Sequence, residues 1–122
     1  MVFSQRLTGN IFSRLPRKQA EEAWETILEG QGCRLERICS QGHASPPDFW
    51  FDQDHGEWVL LLSGAARLQV AGEEEIELSP GDYLFLHPHK RHRVTWTSPG
   101  EVTIWLALHV TGDCSAAPLI TG

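Results

Sequence analysis

From Cys33 to Val110 the chain is a succession of short apolar runs: CRLERICS, DFWFD, EWVLLLSG, AARLQV, EEIELS, DYLFLH, RHRVTWT and EVTIWLALHV. Val, Ile, Leu and aromatic residues dominate them, the composition of half-buried strands. Turn signals fall between the runs at Gly42, Ser45-Pro46-Pro47, His55-Gly56, Ala71-Gly72, Ser79-Pro80-Gly81 and Ser98-Pro99-Gly100. Seven or eight strands so closely spaced leave no room for intervening helices. Their apolar faces must therefore cover one another, which requires a sandwich or a closed barrel.

The preceding segment reads differently. In PRKQAEEAWETILEG, residues 16–30, Ala20, Ala23, Trp24, Ile27 and Leu28 recur at helical spacing, with Glu21, Glu22 and Glu25 on the other face. Pro16 suits a first turn and Gly30 a C-terminal stop, so the spacing predicts an amphipathic helix packed on the domain. The expected organisation is an arm and helix over 1–30, a β-domain over 31–111 and a tail over 112–122, all within one domain. A length of 122 residues suits a single core, and 41% hydrophobic with 21% charged residues is the balance of a folded chain.

Several function classes are disfavoured. A net charge of -6 argues against a nucleic-acid surface. No apolar run approaches the ~18 residues of a membrane span, and MVFSQRLTGNIFSRLP lacks the apolar stretch of a signal peptide. Cys33, Cys39 and Cys114 are odd in number and lack C-x-x-C spacing, which predicts free thiols and a cytoplasmic setting. There is no nucleophile elbow, P-loop or dinucleotide fingerprint.

Chemistry concentrates in two segments. In FWFDQDHGEWVLLLSGAARL, Glu57 opens a strand and Gly64 follows after six intervening residues. In SPGDYLFLHPHKRHRV, a Pro80-Gly81-Asp82 turn precedes His87, His89 and His92. This pair resembles the two motifs of the cupin superfamily, G-x5-H-x-H-x3 or x4-E-x6-G and G-x5-P-x-G-x2-H-x3-N, over about residues 33–110. The resemblance implies a jelly-roll barrel of two antiparallel sheets. It puts Glu57 at the motif-one glutamate and His92 at the motif-two histidine, which in cupins help to bind one divalent metal inside the barrel mouth. It also implies a homodimer formed through edge strands or N-terminal arms. The first motif is degenerate: Trp50-x-Asp52 or Phe51-x-Gln53 stands where the family has H-x-H. In the second, His87, His89 and Trp96 replace proline, glycine and asparagine.

A metal site needs three or four converging donors. His92 and Glu57 would supply two, His89 a second imidazole, and Asp52 or Gln53 an oxygen, a set compatible with Zn, Fe, Ni or Mn. Alternation puts His92, Val94 and Trp96 on one face, and Glu57, Val59 and Leu61 on another. The alternative is a direct acid–imidazole pair without metal. His55 reads as an exposed turn residue, and His43 and His109 as ordinary strand histidines. Lys90, Arg91 and Arg93 form either a solvated rim or an attractor for an anion. The functional expectation is a cupin that binds a divalent metal and a small polar or anionic molecule in its barrel, whether or not it is an enzyme, with a non-catalytic binding or sensing module that has lost its metal as the alternative.

Overall fold

The computed structural model describes residues 8–17, 20–114 and 117. Among the described residues there are eight strands: β1 Ala23–Gly30, β2 Cys33–Ser40, β3 Gly56–Ser63, β4 Ala66–Val70, β5 Ile76–Leu78, β6 Tyr83–Leu86, β7 His92–Thr97 and β8 Thr103–Val110. They form a five-stranded sheet, β1-β2-β8-β3-β6, and a three-stranded sheet, β5-β4-β7, with every pairing antiparallel. The all-β expectation of two antiparallel sheets holds. No helix among the described residues is long and apolar enough to cross a membrane.

The helix expected over 16–30 is not formed; the described residues contain no helix. Ala23–Gly30 is instead the edge strand β1, paired from Ala23↔Cys39 to Gly30↔Cys33. Two residues, Gln31 and Gly32, close the hairpin, with Gly32 at φ 74° in the left-handed position that glycine adopts without strain. A bulge between Thr26 and Leu28 interrupts the alternation of β1, and seven of its eight residues are exposed. An exposed, bulged edge carries little period-two signal, so the glutamate-rich stretch shows helical spacing by coincidence. Tertiary pairing with β2 overrides that local preference. Lys18 and Gln19, like most of the predicted tail, lie outside the described residues.

The core lies between the sheets. Ile38, Val59, Leu61, Trp105 and Ala107 of the larger sheet meet Ala66, Leu68, Val70 and Leu78 of the smaller one. Burying each large aliphatic side chain contributes about 2 kcal/mol, which supplies the driving force for closure. Two motif elements fix the geometry. Gly64 sits at φ 89°, and a side chain there would overlap Thr103, with a β-carbon only 2.6 Å from its Cα. Gly81, at φ 96°, lets the 79–82 turn return its backbone to Leu61, whose carbonyl accepts from the Gly81 amide at 2.8 Å. Asp82 Oδ2 caps the same turn by accepting from the Ser79 amide.

Candidate functional site

The cavity lies between the sheets, with Glu57 and His92 from the first residues of β3 and β7 in its wall, and about 450 Å³ of open space lies within it and in the solvent at its mouth. Its wall is mostly apolar, from Trp24, Ile38, Phe51, Val59, Leu68, Leu86, Val94 and Trp105, and its polar members are Glu22, Gln53, Glu57 and His92. Glu57 points inward because it shares the Val59 and Leu61 face of β3, as alternation predicts. His92 opens β7, pairs with Val70 of β4, and forms an isolated bridge to Phe51, whose ring stacks on the imidazole at 5.3 Å.

Of the five residues expected as metal ligands, three meet here. His92 Nε2 lies 3.9 Å from Glu57 Oε1, and both side chains are buried. Gln53 lines the cavity and hydrogen-bonds the Glu57 carboxyl. His89 and Asp52 are elsewhere: they bond each other at 2.9 Å on the surface, with 70% and 52% of their side chains exposed. The backbone explains this, because His89 sits at φ 62° in a tight turn whose amide donates to the Gln53 carbonyl. That geometry turns the imidazole outward, so His89 and Asp52 do not line the cavity.

The electrostatics of the pair are unusual. Burial pushes Glu57 from its ordinary value of 4.5 up to about 7, and the Glu36 carboxylate adds to the rise. The Gln53 hydrogen bond and the Arg34 guanidinium oppose it. Burial holds His92 below the usual imidazole value, partly offset by its bond to the Lys90 carbonyl. His92 Nδ1 lies 3.0 Å from that carbonyl, so Nδ1 carries the proton and Nε2 presents its lone pair toward Glu57. At 3.9 Å the two groups are too far apart for a direct hydrogen bond and well spaced to share one polar atom between them.

The sequence reading missed the neighbours behind Glu57. His109 on β8 is in register with Glu57 and is buried beside it, Nε2 to Oε2 3.9 Å. The same nitrogen donates to Glu36 Oε1 at 2.7 Å, while Arg34 Nε stands 3.3 Å from Glu36 Oε2. His109 Nδ1 meets His55 Nε2 at 2.8 Å, so His55 is not a free turn residue. Burial lowers His109, with Glu36 opposing. Alternation held the signal: His109 shares its face with Trp105 and Ala107, and Glu36 shares its face with Ile38.

Other expectations divide. Trp50 and Phe51 do face opposite ways: Phe51 enters the cavity, and Trp50 lies under Arg91 and Arg93 at 5.4 and 5.8 Å. Lys90 pairs with Glu73 at 3.7 Å. None of these three cations lines the cavity. His87 is exposed against the Phe85 ring. Trp96 does not share the His92 and Val94 face. The pairing shifts between Arg67↔Trp96 and Leu68↔Val94, leaving Thr95 as an extra residue that flips Trp96 outward under Arg67.

The implied divalent metal needs three or four converging donors. Among the described residues no three His, Cys, Asp or Glu side chains are grouped to hold an ion. His92 Nε2 and Glu57 are two donors, and the Gln53 amide oxygen is a weak third for a borderline metal. His109 Nε2 is committed to Glu36. The residues do not complete a first-row metal set.

Comparison with known proteins agrees with the architecture. Residues 37–110 match the family described as Cupin domain. No curated protein matches the sequence. Among solved structures, a protein of Ralstonia eutropha JMP134 described as a candidate mannose-6-phosphate isomerase is 42% identical, with a TM-score of 0.84 over 88% of this chain and 100% of its own. A cupin superfamily protein of Desulfitobacterium hafniense DCB-2 is similar in fold at 14% identity and a TM-score of 0.71, over 88% of this chain and 94% of its own. An RmlC-like cupin protein of Desulfovibrio desulfuricans aligns at 12% identity and a TM-score of 0.68, over 86% and 97%.

Proposed function

The chain belongs to the cupin family, and from that premise we propose that its barrel binds one compact, neutral carbonyl or hydroxyl compound and is equipped to move a proton on it. The observation that carries this reading is the Glu57–His92 pair at the polar end of an otherwise apolar cavity. A carboxyl group near pKa 7 is present in both protonation states at neutral pH, the condition under which a general acid or base works best. The neutral imidazole opposite accepts at Nε2, so a ligand hydroxyl can donate to His92 while the Glu57 carboxyl donates to or accepts from the neighbouring oxygen. Phe51 and Trp105 provide apolar walls that fix the remainder of the molecule.

The Ralstonia relative's description suggests a related chemistry. Aldose–ketose isomerisation moves a proton between adjacent carbons, a task for one acid–base pair. A phosphosugar, however, needs cationic or backbone donors for its phosphate, and the cavity wall carries Glu22 and Glu57 but no Lys or Arg. The favoured ligand is therefore unphosphorylated.

The test is a thermal-shift panel of small hydroxycarbonyl compounds against their phosphorylated and carboxylated counterparts, with and without chelator. Hits are then followed by proton NMR for exchange of the carbon-bound hydrogen in deuterated solvent. Stabilisation by neutral members, unaffected by chelator and reduced in Glu57→Gln, supports the reading. Stabilisation by the anionic members alone rejects it. One observation favours a second reading, a metal-dependent cupin: the Nδ1–H to carbonyl bond of His92 is the arrangement that orients metal-ligating histidines. Stoichiometric divalent metal in the purified protein, lost in His92→Ala, would select that reading instead.

A further inference from the structure

We propose that Glu22 reads the end of the ligand remote from Glu57 and His92, so that the barrel selects an open polyhydroxy chain by its far hydroxyl. This rests on the proton-moving reading above and assigns the rest of the same site. Gln53, Glu57 and His92 stand together in the cavity, and Glu22 stands apart from them. Register sets the separation. Ser40, which bonds Glu22, pairs with Thr103, whereas Glu57 pairs with His109, six positions further along β8. Six residues correspond to about 20 Å of strand, so the two carboxyls approach one ligand from opposite ends.

A relay of buried donors holds Glu22 in place. The Trp105 indole N–H can only donate, and it does so to Ser40 Oγ at 3.3 Å. Ser40, 1% exposed, directs its own proton to Glu22 Oε2 at 2.5 Å. Among the described residues, Oε1 carries no hydrogen bond and no cation pairs with the carboxylate. A carboxylate fixed by a neutral hydroxyl keeps its capacity to accept from a ligand.

Chemistry selects the occupant. Trp24, two residues after Glu22, lines the cavity beside it and is 48% exposed. An indole offers a flat apolar face to the C–H groups of a chain, and the adjacent carboxylate accepts from a hydroxyl on the last carbon. Phe51 and Trp105 continue the apolar wall between Glu22 and the Glu57–His92 pair. Apolar faces with a polar group at either end fit a polyol-like chain whose near carbons carry the reacting oxygens. A phosphate in the far position would meet like charge, with no Lys or Arg in the wall to offset it. Glu22 thereby distinguishes hydroxyl-terminated chains from phosphate-terminated ones.

Titration of the full chain, followed by protein NMR, tests this with open-chain alditols of increasing length, their terminal deoxy counterparts and their terminal phosphates. At the length that binds best, the wild type should prefer the alditol to its deoxy counterpart about tenfold, the effect of one hydrogen bond to a charged group. The phosphate should bind at least as poorly as the deoxy compound. Glu22→Ala should bind alditol and deoxy compound equally, and Glu22→Gln should bring the phosphate close to the alditol. Circular dichroism checks folding; if Glu22→Ala disrupts the strand, the isosteric Glu22→Gln decides on the phosphate ratio. A folded variant that keeps the wild-type preferences overturns the assignment, and alditol binding weakened by His92→Ala then leaves the proton-moving reading standing. Failure of every alditol and hydroxycarbonyl compound to bind the wild type removes that reading, and the assignment with it.

Discussion

Glu57 of the larger sheet and His92 of the smaller one face each other across the barrel, 3.9 Å apart and both buried, with Gln53 bonded to the carboxyl. Each comes from the first residues of its strand, so the pair marks the end where the sheets part. Behind it, His109 and Glu36 continue the polar layer into the five-stranded sheet. The remainder of the cavity wall is almost wholly apolar, so these few groups dictate both the orientation of a ligand and the proton balance of the site.

The raised Glu57 carboxyl makes stability depend on pH with a definite sign. The folded form holds its proton more tightly than the unfolded chain, so this contribution is fully present below about pH 4.5 and is lost as pH rises to about 7. That displacement corresponds to about 3 kcal/mol. Glu57→Gln, which cannot ionise, should therefore gain stability relative to wild type between pH 4.5 and 8 in urea melts, by up to that amount. His92 acts oppositely, since a lowered imidazole pKa costs stability as pH falls through the range below 6.5. The wild-type-minus-variant difference removes that background. A difference flat in pH would contradict the assignment.

The neighbours of Glu57 should tune it in opposite directions. Glu36 raises its pKa and Arg34 lowers it. Carbon-detected NMR titration of the Glu57 carboxyl should show a fall toward 4.5 in Glu36→Gln and a further rise in Arg34→Met. Equal displacements of one sign would mean that a general loosening of the sheet, rather than charge, governs the site.

The histidines should separate cleanly in binding. His92→Ala removes an imidazole from the cavity wall and should weaken any ligand found by thermal shift at least about tenfold, the loss expected for one buried hydrogen bond. His89→Ala and Asp52→Ala change only a surface pair and should leave affinity as it was. Calorimetric titration of the three variants against one ligand is the direct measurement.

Gly64→Ala should cost about 2 kcal/mol or more. The position needs φ 89°, and the added carbon meets Thr103 backbone. Thermal unfolding followed by circular dichroism should show a lower Tm, whereas Gly72→Ala, with open space around its equally positive φ, should show only the smaller backbone penalty.

Period-two alternation and turn chemistry were enough to place β2 to β8 around one core and to turn Glu57, Val59 and Leu61 inward, although the DFWFD run, read as a further strand, forms only the isolated bridge of Phe51 to His92. The Glu57-x6-Gly64 spacing was equally legible, because Gly64 answers a backbone requirement that no other residue meets without strain. Local pattern failed where tertiary contacts set the outcome. β1 is a strand because β2 offers it a pairing edge, against a helical spacing of its own. Trp96 faces out because one extra residue in β7 reverses the alternation, and a bulge of that kind depends on the partner strand. His89 left the site because of one turn's left-handed backbone, while His109 and Glu36 joined it through the register of three strands distant in sequence. The sequence by itself determined a domain of short strands with Glu57 on an inward face, which follows from periodicity along single strands, while its likeness to the two cupin motifs supplied the family and the place of His92. Only the tertiary structure decided which polar groups stand together, because proximity across two sheets, and the pKa changes that burial and neighbouring charge impose, are properties of the assembled core.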